Sequence, residues 1–192
     1  DFDTARELLA AGRRALDELG QPVWVAVTGQ EAFFVEMLAG DPAAAARTLR
    51  QSYETLSGMG ERSFRSTIAG LLAHALCELG EDDEADQFSR ACEEAAAEED
   101  VFSQVLWRSA RAKVLARRGE ADAAEAAARK AVAIAERTDL VNTQADALLD
   151  LAEVLAQAGR SDEARAAARD AADRFERKGN LPSLERAREL SA

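Results

Sequence analysis

The chain has 192 residues, of which 47% are hydrophobic and 31% are charged, and these proportions are typical of a soluble globular protein. Its 36 acidic and 24 basic side chains give a formal net charge of −12 at pH 7, so most of the surface would repel a phosphate backbone and we expect no nucleic-acid partner. Apolar runs such as 23–27 are too short to cross a membrane, and two cysteines are too few for a disulfide scaffold. We therefore expect a cytoplasmic protein without membrane contact.

The start of the chain suggests a piece of a longer protein. It begins with Asp1 rather than Met, and its first segment already has the pattern of a second helix in a repeat. The composition is rich in alanine and has 21 Arg against 3 Lys, a bias that we expect of a GC-rich bacterial genome. Alanine at this density also favours helix.

Glycines recur along the chain at a nearly constant spacing. Four predicted turns contain Gly40, Gly80, Gly119 and Gly159, at intervals of 40, 39 and 40 residues. Five residues after each glycine stands an alanine, at Ala45, Ala85, Ala124 and Ala164, and seven residues further stands a small residue, at Ser52, Cys92, Ala131 and Ala171. A fixed period of this kind is the sequence signature of a repeat architecture.

The period divides 1–192, read as one domain, into a partial repeat at 1–20, four repeats at about 21–60, 61–100, 101–139 and 140–179, and a capping helix at 181–191. Each repeat contains two segments in which apolar residues recur three and four positions apart, the pattern of one buried helical face. We predict about ten helices, which in chain order span 3–19, 23–39, 43–57, 63–79, 82–98, 101–118, 121–137, 140–158, 161–177 and 182–190.

The turn glycine, the alanine five residues later and the small residue seven residues beyond it together resemble the tetratricopeptide repeat (TPR), with Leu72 and Leu76 at its large first-helix positions. The period near 40 exceeds the usual period of about 34 residues. The stretches 103–118 and 147–155 are similar to the C-terminal repeat region of bacterial multidomain signalling regulators, where it follows a class III nucleotide cyclase domain or a signalling ATPase domain. The resemblance implies an all-α fold, a right-handed α–α superhelix of the TPR-like solenoid type.

The resemblance also implies a function, namely a non-catalytic interaction or scaffold module that holds a peptide or protein segment in a concave groove lined by first helices. Carried over by repeat position, the groove residues are Gln30, Phe34, Met37, Thr67, His74, Cys77, Ser109, Lys113, Arg117, Asp146, Glu153 and Gln157. The alternative is a small-effector sensor that regulates attached catalytic domains. A third possibility is assembly through the exposed ends of the array.

Catalytic and metal-binding motifs are missing from the sequence. It contains no Gly-rich phosphate loop, no Cys-x-x-Cys pair and a single histidine, His74, so we expect no enzyme activity, no cofactor and no metal. His74 is either a half-exposed polar residue or a ligand contact. Cys77 and Cys92 lie on two helices of one hairpin at heights that differ by roughly 13 Å, so we expect two free thiols.

Charge is unevenly distributed. Residues 81–100 hold ten acids and one base, Arg90, which predicts either a solvated helix face or a docking patch for a basic partner. Arg111 takes a slot that Leu72 and Leu151 hold in neighbouring repeats, so it should either pair with Asp146 or Asp150 or reach an anionic ligand.

Large apolar residues complete the pattern. Trp24, Trp107, Phe64 and Phe102 stand near the starts of first helices, where we expect core packing. The first segment presents Leu8, Leu9, Leu16 and Leu19 without a first-helix partner, so we expect weak self-association through the N-terminal end.

Overall fold

The computed structural model describes all residues, 1–192, and shows a chain of eleven α-helices without a β-strand. In chain order they are α1 (Phe2–Glu18), α2 (Pro22–Val27), α3 (Gly29–Leu38), α4 (Pro42–Gly58), α5 (Ser63–Leu79), α6 (Asp82–Ala95), α7 (Val101–Arg117), α8 (Ala121–Ala135), α9 (Val141–Gln157), α10 (Ser161–Lys178) and α11 (Leu181–Ser191). The predicted all-α class is confirmed. Every predicted helix except 23–39 corresponds to one observed helix, with ends that differ by at most three residues.

The helices form two compact units, Asp1–Ala97 and Glu98–Ala192. In the first unit α1 packs on α2 and α3, α4 packs on α2, α3 and α5, and α5 packs on α6. In the second unit α7 packs on α8 and α9, and α9 also packs on α8, α10 and α11. The second unit therefore has a first layer of α7, α9 and α11 and a second layer of α8 and α10.

The repeated turn is the same in all four places. The four turn glycines have φ between 74° and 80°. Gly80 shows the reason, because it ends α5 in the left-handed conformation and its N–H donates to the carbonyl of Cys77. A side chain would strain the backbone there, which makes glycine the residue of choice at the end of a helix.

The repeated small residues lie inside the helix pairs. The four alanines of the first set, Ala45, Ala85, Ala124 and Ala164, are at most 3% exposed, and the second set, Ser52, Cys92, Ala131 and Ala171, is at most 2% exposed. Antiparallel helices can approach closely where one of them offers a small side chain, so larger neighbours interlock there. The helical-repeat pattern is thus a packing pattern.

One predicted helix is broken. The segment 23–39 divides at Thr28 into α2 and α3, which accounts for the eleventh helix. Gly29 begins α3 against α4, where an added Cβ would lie 2.4 Å from Ser52 Oγ. The Thr28 hydroxyl donates to the carbonyl of Val25 at 2.7 Å and closes the last turn of α2. The helix α6 also ends early, because Ala96 is extended with ψ 131°.

An ion pair between successive second helices occurs once in each unit. Arg50 Nη2 lies 2.6 Å from Glu84 Oε2 in the first unit, and Arg129 Nη2 lies 3.3 Å from Glu163 Oε2 in the second. Each arginine stands ten residues after a turn glycine and each glutamate four residues after the next one. The Arg50 guanidinium lowers the pKa of Glu84. The sequence analysis did not identify this repeated contact.

Candidate binding surface

Polar side chains follow one face of α7 and one face of α9 in the second unit. On α7 the residues Ser109, Lys113 and Arg117 are four positions apart, and on α9 the residues Asn142, Asp146 and Asp150 are four apart. Side chains at this spacing lie above one another on a helix. Because α7 and α9 are packed together, these two rows belong to neighbouring helices of the first layer.

A buried lysine connects the two rows. Lys113 is only 3% exposed, and its Nζ lies 3.3 Å from Asp150 Oδ1 and 2.9 Å from Glu153 Oε2. Arg186, from α11, donates through Nη2 to Glu153 Oε1 at 2.5 Å. The four residues Lys113, Asp150, Glu153 and Arg186, here called the charged network, thereby join all three helices of the first layer. A buried ammonium needs such partners, because leaving a charge unpaired away from water is unfavourable.

Asp146 lies beside the charged network but makes no ion pair or hydrogen bond of its own. Its pKa is raised from 3.8 to about 7, first because protein atoms displace water around the carboxyl and second because the charge of Asp150 repels a further negative charge. Arg186 and Lys113 act in the opposite direction without cancelling the rise. The side chain nevertheless remains exposed to water.

Two buried polar atoms on the same rows have no hydrogen-bond partner. One is Ser109 Oγ, on a residue that is 1% exposed, and the other is Asn142 Oδ1. Most buried polar atoms in folded proteins are hydrogen-bonded, so such atoms call for an explanation. Both lie one turn from a charged residue of this surface, Lys113 and Asp146 respectively.

Of the two carboxylates that the sequence offered to Arg111, Asp150 pairs with Lys113, and Asp146 has no ion pair. The Arg111 guanidinium carbon lies 4.7 Å from the centre of the Trp107 ring, and that of Arg108 lies 3.9 Å from it. Stacking on the ring gives these cations a favourable site.

The predicted groove residues of the second unit form a partly continuous surface. Lys113 and Glu153 touch, Asp146 lies next to them, and Arg117 and Gln157 are exposed near the ends of their helices. Ser109 and Lys113 are enclosed, which is a correction, because side chains that are 1% and 3% exposed offer a partner almost no surface. Neither Asp150 nor Arg186 was predicted to line the groove. Asp150 could have been found from the sequence, because it is a charged residue within an otherwise apolar run.

The predicted groove residues of the first unit differ in accessibility. Phe34 is 42% exposed, and Gln30, Met37 and His74 are half-buried. Cys77 and Thr67 are 1% and 8% exposed, so their expected contact with a partner is corrected to a packing role.

The aromatic prediction is partly wrong. Trp107 is buried as expected, and Phe64 and Phe102 are half-buried. Trp24, however, is 50% exposed, although the centre of its ring lies 5.5 Å from that of Phe64.

Other sequence expectations can be compared with the structure. Neither cysteine forms a disulfide, as predicted, and both are buried. In the acidic stretch, Glu81 and Glu84 bind Arg50, and Asp86 binds Arg90. No group of three or more His, Cys, Asp or Glu side chains is arranged to hold a metal ion. None of the eleven helices combines the length and apolarity that crossing a membrane requires.

No family model matches the chain, and no curated protein is similar to it in sequence. Among solved structures, the chain is similar to the crystal structure of BtubC (BKLC) from P. vanneervenii, with a TM-score of 0.61. The two share 15% sequence identity over 98% of this chain and 89% of that chain. At this identity the likeness supports the all-helical fold and carries no statement about function.

Proposed function

We propose that the first layer of the second unit, α7, α9 and α11, binds a peptide or protein segment. The chain would then be a non-catalytic interaction module of the TPR type, part of a right-handed helical solenoid in a larger bacterial signalling protein. The observation that carries this proposal is the charged network, in which Lys113 is buried against Asp150 and Glu153.

The reason is energetic. Moving charges out of water is unfavourable, and apolar residues of similar size often stabilise a fold more than a buried ion pair does. The small residues at the repeated positions already account for the packing of the helix pairs. A buried ion-pair network beside an unpaired carboxylate therefore favours recognition as its purpose over folding.

The small-effector alternative would place a ligand in an enclosed pocket. Asp146 is open to water, which favours an extended segment lying across the surface. The two functions differ in their ligands, so selection from a random peptide library and a thermal-shift screen of small metabolites distinguish them.

The test combines peptide selection with hydrogen exchange. A selected peptide should slow amide exchange in α7 and α9, because bound segments protect the elements they cover. Amides in α8 and α10 should keep their rates and serve as the internal control. Peptides that protect α8 and α10 instead, or a selection that yields no binder, would contradict the proposed function.

A further inference from the structure

The helix α1 leaves one uncharged face uncovered. No residue of α1 is buried, and Leu8 and Leu19, the latter directly after the helix, are 68% and 72% exposed. Gly12 and Ala15 lie between these leucines and are exposed as well. Steps of four, three and four residues place the four positions on one side of the helix, as in the seam of a coiled coil. We call these four residues the α1 seam. The adjacent side, where Leu9 is half-buried, packs on α2 and α3.

Gly12 gives independent evidence that another molecule approaches the α1 seam closely. A glycine inside a helix is less favourable than alanine, so its presence there calls for a packing reason. Gly29, at the start of α3, has such a reason within the chain, because an added Cβ would lie 2.4 Å from Ser52 Oγ. At Gly12 an added Cβ would meet no atom within 4 Å. Packing within the chain therefore does not account for Gly12, whereas a second helix lying against the seam would, because glycine lets two helix backbones come close.

The α1 seam is complementary to itself. In an antiparallel pair of identical helices, two positions face each other when their residue numbers have a constant sum. The numbers of Leu8 and Leu19 have the same sum as those of Gly12 and Ala15. A two-fold axis midway between Gly12 and Ala15 therefore sets both leucines of one copy against the leucines of the other, and each glycine against an alanine. Self-complementarity of this kind is what a two-fold interface requires.

We propose that the α1 seam pairs with the same seam of a second copy of this chain, as an antiparallel two-fold contact. Small side chains in the middle let the two helices approach, and the leucines at both ends cover the contact. The proposal gives a geometry to the self-association that the sequence led us to expect. It lies in the first unit and goes beyond the proposed function, which concerns the second.

The size and charge of this contact set its strength. One helix face from each copy buries less than the roughly 1,200 Å² of a standard interface, so the dimer forms only at high concentration. Two chains that each carry a net charge of −12 also repel each other. Added salt should therefore strengthen the association, because it screens this repulsion.

Sedimentation of the full chain at concentrations up to about 1 mM measures the association, and Gly12→Leu tests its cause. The added leucine increases both the apolar surface and the helix propensity of α1, so a nonspecific hydrophobic association would become stronger. In the antiparallel pair the same side chain overpacks the centre of the contact and should weaken dimerisation by about tenfold or more. Ala10→Leu adds the same side chain on the opposite, exposed side of α1. It is the matched control and should change the dissociation constant by less than about twofold.

Disulfide formation tests the orientation of the two helices. Chains with Leu8→Cys are mixed with chains with Leu19→Cys and oxidised, and the antiparallel pair predicts that the mixed dimer forms faster than either homodimer. Cys77 and Cys92 are buried and should not compete. Preferential formation of the two homodimers would overturn the antiparallel arrangement. A native chain that stays monomeric at about 1 mM, or a Gly12→Leu chain that associates as tightly as the native one, would overturn the contact itself.

Discussion

Replacement of Lys113 by methionine should be among the most destabilising single changes in the second unit. Methionine keeps most of the buried aliphatic volume but removes the ammonium that Asp150 and Glu153 share at 3.3 and 2.9 Å. Breaking a buried pair by removing one partner is destabilising by about 3–5 kcal/mol. Arg186 remains on Glu153, so we expect a loss at the lower end, about 3 kcal/mol. Lys130→Met, at an exposed site on α8, should change stability by less than about 0.5 kcal/mol.

The assay must report the second unit alone. Trp107 lies in that unit, and a Trp24→Phe background removes the other tryptophan, so urea unfolding followed by fluorescence gives the required free energy. Adding Asp150→Asn should restore part of the stability. A loss below about 1 kcal/mol, or no recovery of stability on adding Asp150→Asn, would refute the reasoning that Lys113 neutralises buried charge.

Three further changes test other parts of the structure. Gly29→Ala should destabilise the first unit by about 1–3 kcal/mol in urea unfolding, because its Cβ would lie 2.4 Å from Ser52 Oγ. Ser52→Ala removes a hydroxyl without a hydrogen bond, so it should be nearly neutral alone and should rescue part of the loss in the double variant. A double variant without rescue contradicts the steric cause. Asp146→Asn should stabilise the second unit by about 1 kcal/mol above pH 7, after allowance for screening by water, and by less toward pH 4. The reason is that the folded-state pKa of about 7 exceeds the ordinary 3.8, so the native chain loses stability as the pH rises between these values. A stability difference that does not depend on pH would contradict this reasoning. Leu8→Glu and Leu16→Glu should weaken self-association in sedimentation experiments, because no residue of α1 is buried and Leu8 is 68% exposed. A native chain that stays monomeric at high concentration would show this prediction wrong.

The helices could be predicted because their signals are local and repeated. The turn glycine, such as Gly80, and the alanine five residues later, such as Ala85, recur with nearly constant spacing, and both meet requirements of single hairpins. The break at Thr28 escaped prediction, because it depends on how closely Gly29 approaches Ser52 on another helix. Periodicity along one segment carries no information about such a contact.

The candidate surface was predictable in its location but not in its pairing. Repeat position assigned Lys113, Asp146 and Glu153 to two successive first helices, and in the structure Lys113 contacts Glu153 while Asp146 lies near them. It did not show that Lys113 reaches Asp150, because that contact depends on how two helices pack rather than on the pattern along one of them. The accessibility of Cys77 was also misjudged, since it depends on neighbouring helices rather than on the repeat.

Two positions of the repeat differ in how much their side chains vary. Five residues after each turn glycine the side chain is always alanine, and that position is buried in every repeat. Six residues before the glycine the side chain changes completely, from Phe34 to His74, Lys113 and Glu153. Lys113 and Glu153 occupy this position in successive repeats of the second unit and touch at 2.9 Å, so the equivalent positions on α7 and α9 are direct neighbours. If the proposed function holds, this is a position at which the binding surface can vary while the buried alanine keeps the helices in place.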